Sequence, residues 1–372
     1  MTAFSEEEAG YMRRAIGLAQ SVRHRARPNP AVGCVLVRNG KIVAEGATAP
    51  PGGPHAERVA LAAAGAAARA ATAFVTLEPC AHHGRTPPCA QALIDAGVAE
   101  VVIAVRDPNP AVDGRGEQAL AAAGVGVRRG LLAAEAERLI AGFARRVLGG
   151  RPRLLLKTAS SLDGATAMAG GESQWITGAE ARAEVQALRA RAGAVLTGRG
   201  TVVADDPALT VRDPRFADMA APPLRVVVDS ALRSPPGRTL FRDGIPTLVY
   251  TCTDPAGRTL GDAEIVRVAA ADGQVALDAV LDDLGGRGVN DVLAEAGPTL
   301  AGALLAAGLV DELRMFVAPC LLGSETQRLF ATPALTRLAQ RIELDIVGWR
   351  RVGADWCIEA RPGEPRPPAD IE

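Results

Sequence analysis

The chain has 372 residues, 48% apolar and 22% charged, and its 41 basic and 42 acidic side chains leave a net charge of −1. At roughly 150 residues per domain, this length predicts two or three domains. Balanced charge and 3% aromatic content leave neither the basic footprint nor the stacking platform of a nucleic-acid binder. The absence of any apolar run of about 18 residues argues against a membrane-spanning helix.

In chain order, Ser5 and Glu8 have capping-box spacing, and Met12, Ala15, Ile16 and Ala19 recur at helical spacing. They predict a first helix ending near Val22. Residues 32–37 read as a buried strand, Asn39-Gly40 as a hairpin turn and residues 42–45 as the return strand. A helix over 55–68, a strand over 73–77 ending at Glu78-Pro79-Cys80, a helix over 90–96 and a strand over 101–105 follow. This alternation predicts an α/β layered domain. A helix over 133–148, with Leu139, Ile140, Phe143 and Val147 on its apolar face, is broken by Gly149-Gly150-Arg151-Pro152. The domain boundary is expected there.

A second α/β series follows. Strands are expected at 154–157, 194–196, 224–229, 247–251, 291–295 and 312–318. Helices are expected at 179–191, 275–284 and 298–307. The domains are thus 1–149 and 150–361, with a Pro- and charge-rich tail over 362–372 expected to be disordered.

The six cysteines, Cys34, Cys80, Cys89, Cys252, Cys320 and Cys357, are scattered rather than arranged as a disulfide framework. In a chain of this size, cysteines beside histidines point to metal or catalysis. The N-terminus lacks the basic and apolar regions of a signal peptide, and the chain reads as a soluble, cytoplasmic protein.

His55-Ala56-Glu57 opens one expected helix, and Pro79-Cys80 follows the next strand, with Cys89 after a further eight residues. One imidazole and two thiolates make a three-ligand zinc site with a fourth position open for a water, whose ionisation zinc promotes. Glu57 need not be a ligand and is placed to carry a proton from that water to leaving ammonia. Zinc deaminases carry His-x-Glu followed by Pro-Cys-x-x-Cys; here the interval between the cysteines is longer.

The stretch Glu78-Pro79-Cys80-Ala81-His82-His83-Gly84-Arg85-Thr86-Pro87-Pro88-Cys89 resembles the riboflavin-biosynthesis pyrimidine deaminases, whose longer inter-cysteine loop accounts for that interval. Pro28-Asn29-Pro30 with Val32-Gly33, and Asp107-Pro108-Asn109-Pro110, resemble the same family. The family pattern has a histidine where this chain has Arg27, and different residues at Arg58-Val59; neither position is a ligand. The resemblance implies that Asn29 hydrogen-bonds the pyrimidine. It also implies that His82 and Arg85 reach the ring or its ribosyl phosphate, and that Asp107 and Asn109 contact the ribosyl side.

The second half has no GxGxxG after a strand, so a standard Rossmann dinucleotide site is not expected. It carries Ser160-Ser161-Leu162-Asp163-Gly164, a segment from Gly170 to Thr177, another from Thr201 to Arg212, and Glu295-Ala296-Gly297-Pro298-Thr299-Leu300. The last is a strand end entering a helix, where free N–H groups suit a phosphate. Together these segments resemble the reductase domain of the bifunctional riboflavin enzymes.

That resemblance implies a fold of two α/β parts, a cytidine-deaminase-like three-layer domain and a dihydrofolate-reductase-like domain. It implies NADPH-dependent reduction of the ribosyl group to ribityl. Ala159, Trp175, Thr201, Asp205, Ser230 and the turn Gly297, Pro298, Thr299, Leu300, Ala301, Gly302 and Ala303 would line the NADP site. Ser173, Arg189, Leu209, Arg212 and Glu295 would hold the substrate, the two arginines suiting its phosphate. Asp205 is also the candidate proton carrier in the reduction, and Lys157 is given no role.

The expected partners are zinc, NADPH and a small phosphorylated pyrimidine, without nucleic acid or membrane, and a homo-oligomer is compatible with the sequence. One alternative is a zinc-dependent nucleobase deaminase with an accessory domain; another is a non-catalytic zinc scaffold with four protein ligands.

Overall fold

The computed structural model describes residues 4–81 and 88–363. His82 and Arg85 lie outside the described residues, as does the tail beyond 363. The chain divides into two compact units, Met1–Gly150 with Asp218–Ala221, and Arg151–Ala217 with Pro222–Glu372. The segment Asp218–Ala221 therefore leaves the domain in which its sequence position put it. His24 Nε2 lies 2.6 Å from Asp218 Oδ1, and Arg27 Nη2 donates to the Ala221 carbonyl at 2.9 Å.

The first unit opens with α1 (Glu6–Ala26). Its capping box is closed: Ser5 N–H donates to Glu8 Oε2 at 2.7 Å and Glu8 N–H to Ser5 Oγ at 3.2 Å. The helix runs past Val22 to Ala26, because Ala26 prolongs the buried stripe and Arg23, His24 and Arg25 suit the negative end of the dipole. Pro28 ends it, since the residue before proline avoids helical geometry. Strands β1 (Gly33–Arg38) and β2 (Lys41–Ala47) follow. Between them Asn39 and Gly40 both have positive φ, 51° and 70°, as a two-residue hairpin turn requires.

Next come α2 (Ala56–Ala64), β3 (Thr72–Leu77), α3 (Cys89–Asp95), β4 (Glu100–Val105), α4 (Arg115–Ala122), β5 (Gly126–Arg129) and α5 (Ala133–Gly149). The single helix expected over 55–68 is shorter: α2 stops at Gly65, whose φ is 52°, and a 3₁₀ turn continues to Ala68. The sheet order is β2-β1-β3-β4-β5, with β1 antiparallel to β2 and β3, and β3, β4 and β5 parallel. Neither α4 nor β5 was expected; both are short, and β5 is an edge strand carrying Arg128 and Arg129. Two glycines let helices lie directly on the sheet. A Cβ on Gly33 would stand 1.9 Å from the Ala15 carbonyl oxygen of α1, and one on Gly46 would stand 2.2 Å from that of Ala56 in α2.

The second unit contains, in order, β6 (Arg153–Ser161), β7 (Ala165–Ala167), α6 (Ala179–Arg191), β8 (Ala194–Gly198), α7 (Arg199–Asp205), β9 (Leu224–Val228), β10 (Thr247–Thr251), β11 (Glu264–Arg267), β12 (Ala270–Ala271), β13 (Gln274–Val275), α8 (Leu277–Gly286), β14 (Asp291–Glu295), α9 (Pro298–Ala306), β15 (Glu312–Ala318), β16 (Gln327–Arg328), β17 (Leu344–Val352) and β18 (Asp355–Pro362). Nine of these strands form one sheet, ordered β11-β10-β9-β8-β14-β6-β15-β18-β17. It is parallel from β11 through β15, and β18 and β17 add to it antiparallel. The central strands are apolar runs because both faces are covered: Leu154, Leu156, Val195, Leu196, Val226, Val249 and Ala294 are fully buried or nearly so.

The hairpin β17–β18 was not expected from the sequence. Much of β17 is exposed and charged, so its alternation carries little apolar signal. Pro362, placed in the tail by its composition, is the last residue of β18 and pairs with Leu344. Among the described residues, no helix is long and apolar enough to cross a membrane.

Candidate active sites

In the first unit the register brings four chain segments to one end of the sheet. Gly33 at the start of β1 pairs with Ala47 at the end of β2. Cys34 pairs with Val75, and Leu77 at the end of β3 pairs with Val105 at the end of β4. Asn29 precedes β1, His55 follows β2, Cys80 follows β3, and Asp107 with Asn109 follow β4. Residues far apart in sequence therefore share one rim.

There His55, Cys80 and Cys89 converge, each offering a ligand atom within 4.8 Å of the other two, the one such cluster among the described residues. His55 Nδ1 lies 3.3 Å from Cys89 Sγ and 3.7 Å from Cys80 Sγ. His55 is the N-cap of α2, Cys89 is the first residue of α3, and the Cys89 N–H points at Cys80 Sγ at 3.4 Å. The Cys80 thiol is pulled well below its usual range by hydrogen bonding with Cys89 and His55. The same Cys89–Cys80 bond, with burial, pushes Cys89 up. Two thiols this close share one negative charge unless a cation lies between them. Two thiols and one imidazole, half-buried or buried, are the donor set that zinc prefers, and three protein donors leave a position open.

Glu57 stands in the first turn of α2, 3% exposed. Burial, reinforced by the nearby Cys80 charge and opposed by its own backbone N–H, pushes its carboxyl up to about 7. A carboxyl titrating near neutrality can both take and give a proton at working pH.

Among the residues assigned to the pyrimidine, Asn29 is exposed in the turn after α1. Asp107 and Asn109 are partly committed to their own loop: Asp107 Oδ1 accepts the Asn109 N–H at 2.8 Å, and Asn109 Oδ1 accepts that of Ala111 at 3.0 Å.

In the second unit a cleft of about 1970 Å³ opens along the carboxyl ends of β8, β9 and β14. Ligands of open α/β sheets bind at such strand ends. This volume is about twice the upper end of ordinary single-ligand pockets, which leaves room for a cofactor and a substrate together. Ala159, Ser173, Trp175, Arg189, Thr201, Asp205, Leu209, Arg212, Ser230, Glu295, Gly297, Pro298, Thr299, Leu300 and Ala303 all line it. The turns after β8 and β14 face each other: a Cβ on Gly297 would stand 3.5 Å from Thr201 Oγ1, and one on Gly198 would stand 3.3 Å from Leu300.

Two members of the expected cofactor turn do not line the cleft. Ala301 is packed in the core, and a Cβ on Gly302 would stand 2.3 Å from the Ala331 carbonyl oxygen, because successive helix residues point to different faces. Leu209 borders the cleft but packs with Val195, Val202 and Val227.

Arg189, expected on a phosphate, is already engaged. Nε and Nη2 hold Glu295 at 2.5 and 2.9 Å, and Nη1 donates to the Thr210 carbonyl at 3.0 Å. Arg212 keeps its guanidinium without a side-chain partner among the described residues, while its backbone N–H is fixed by Gln186 at 2.7 Å. Asp205 ends α7 and its carboxyl is raised by burial. The Arg182 guanidinium lies 4.8 Å from the Trp175 ring centroid.

Two residues that the sequence left without a role stand at these sites. Lys157 lines the cleft; burial lowers its pKa, the Glu295 charge opposing. Glu78 is buried beside Cys80. The strand pattern around Lys157 and the proximity of Glu78 to a ligand were the signals at hand, but their partners lie far along the chain.

Two family models match the chain. Residues 152–358 match "RibD C-terminal domain", and residues 5–105 match "Cytidine and deoxycytidylate deaminase zinc-binding region". The chain is 46% identical over 357 residues to riboflavin biosynthesis protein RibD of Escherichia coli, covering 94% of this chain and 97% of that one. Among solved structures, Acinetobacter baumannii RibD aligns with a TM-score of 0.88 at 40% identity, covering 96% of this chain and 99% of that one. A diaminohydroxyphosphoribosylaminopyrimidine deaminase/5-amino-6-(5-phosphoribosylamino)uracil reductase from Thermotoga maritima aligns with a TM-score of 0.86 at 34% identity, with the same coverage.

Proposed function

Because the chain belongs to the RibD family of bifunctional riboflavin biosynthesis proteins, we propose the following division of labour between its two sites. The first unit hydrolyses the ring amino group of 2,5-diamino-6-(5-phosphoribosylamino)pyrimidin-4(3H)-one: a ring C–O bond forms from water, the C–N bond breaks, and ammonia leaves. Zinc, held by His55, Cys80 and Cys89, activates the water when bound. Glu57 receives the water proton on its carboxylate and returns it to the departing nitrogen. Asn29 holds the ring, and the Asp107–Asn109 loop faces the ribosyl side.

The second unit reduces the ribosyl group of the product to ribityl. NADPH supplies the hydride when bound. Thr201, Ser230 and the Gly297–Leu300 turn hold the cofactor, Arg212 holds the substrate phosphate, and Arg189 keeps Glu295 in place at the cleft wall. Asp205, whose carboxyl burial raises, handles the proton delivered to the substrate. The observation that carries the reading is the convergence of His55, Cys80 and Cys89 beside buried Glu57, on a chain whose second unit holds a cleft large enough for two ligands.

A net charge of −1 gives the nucleobase-deaminase alternative no electrostatic support. The thiol ligands suit the reducing cytoplasm. Exposed Ile346 and Trp349 on edge strand β17 support self-association, which sedimentation measures. The deciding experiment supplies the diaminopyrimidine substrate with and without NADPH. Ammonia release without cofactor, followed by NADPH oxidation on its addition, supports both halves; ammonia with no later oxidation sinks the reductase half.

A further inference from the structure

Glu78 lies between the end of β3 and the ligand Cys80, and it is 3% exposed. Its carboxylate accepts four backbone N–H groups: Oε1 those of Gly116 at 2.9 Å and Glu117 at 3.3 Å, Oε2 those of Gly114 at 3.0 Å and Asp107 at 3.2 Å. Among the described residues it has no ion-pair partner, so these N–H dipoles carry its solvation. A buried carboxylate persists only with such compensation.

Three of the four donors belong to the start of α4, whose N-cap Gly114 has no side chain to offer. Glu78 therefore caps that helix from the turn after β3, placing a negative charge at the positive end of its dipole. The fourth donor is Asp107, the first residue of the loop assigned to the ribosyl side. The Glu78 backbone is itself fixed in the sheet, its N–H donating to the Val105 carbonyl at 2.9 Å. The start of α4, which follows that loop, packs directly on the ligand turn, where a Cβ on Gly116 would stand 1.9 Å from the Pro79 carbonyl oxygen.

We propose that Glu78 is a positioning residue for the deamination, holding the Asp107–Asn109 loop in register with Cys80 so that the ribosyl side of the substrate and the metal ligands keep a fixed spacing. This rests on the deaminase reading above. A simple helix cap would affect stability alone; a positioning residue also affects substrate affinity.

The test compares the full-length, zinc-loaded wild type with Glu78→Gln and Glu78→Asp. In Glu78→Gln an amide NH₂ faces N–H donors, so part of the clamp is lost with little change in volume. The deaminase KM is expected to rise about tenfold or more, while kcat changes far less, from loss of charge-assisted hydrogen bonds. Zinc content and reductase kcat/KM, read on the same sample, stay at the wild-type level and report a folded chain. Glu78→Asp keeps the charge and falls between the two. A lower melting temperature with unchanged deaminase KM in both variants overturns the proposal, and so does loss of zinc from Glu78→Gln. If the wild type itself releases no ammonia from the diaminopyrimidine, the deaminase reading fails, and this inference with it.

Discussion

Arg189 and Glu295, 106 positions apart, meet through two hydrogen bonds, Nε to Oε1 at 2.5 Å and Nη2 to Oε2 at 2.9 Å. The pair ties α6 to the end of β14 on the wall of the cleft, with each side chain 12% exposed. Burial alone would raise the Glu295 carboxyl, but the Arg189 charge and hydrogen bonds, with Lys157, outweigh it and hold the carboxyl below its usual 4.5.

A depressed carboxyl contributes stability that is present above the unfolded value and lost as pH falls through the folded one. Glu295→Gln should therefore destabilise the second unit at neutral pH, by roughly 3–5 kcal/mol if Arg189 is left unpaired. The difference from wild type should shrink as pH drops below 4.5. Tryptophan fluorescence during denaturant unfolding reads this unit alone, because Trp175, Trp349 and Trp356 are the chain's three tryptophans and all lie in it. A difference that does not vary with pH would contradict the assignment.

Glu57→Gln keeps the size of the side chain and removes its proton-carrying capacity. Ammonia release should fall about 10²- to 10⁴-fold. Zinc content and NADPH oxidation on the deaminated substrate should stay unchanged. Deamination at the wild-type rate would remove Glu57 from the mechanism.

Arg212→Ala should raise the reductase KM for the phosphorylated substrate by about ten- to a hundredfold, the size expected for a charge-assisted hydrogen bond. The dephosphorylated substrate should bind wild type and variant alike. Equal losses on both substrates would show that the guanidinium does not read the phosphate.

Gly46→Ala introduces a Cβ 2.2 Å from the Ala56 carbonyl oxygen and 2.5 Å from the Ala60 nitrogen. Both are backbone atoms of α2, so the whole helix has to move. A cost of about 1–3 kcal/mol to the first unit is expected from such overpacking. Deaminase activity should be lost at lower temperature than in wild type, and the tryptophan transition of the second unit should not shift. Unchanged thermal inactivation would mean that α2 has slack at this contact.

The sequence by itself determined what is local. The Ser5–Glu8 spacing set the start of α1, Asn39-Gly40 set a positive-φ turn, and apolar runs marked the two-sided strands β8, β9 and β14. The donor set was legible as well, because His-x-Glu and Pro-Cys sit at element ends where side chains point into a rim. Tertiary structure decided what depends on strand order. It paired Arg189 with Glu295 rather than leaving both cleft charges for substrate. It turned Glu78 into the cap of a helix 36 residues further on, at Gly114. It also added the hairpin β17–β18 to the sheet although its residues lack strong apolar alternation. Periodicity records which face of an element is buried, but not which distant element covers it. Hydrogen bonds between distant segments follow only once the sheet has fixed which strands are neighbours.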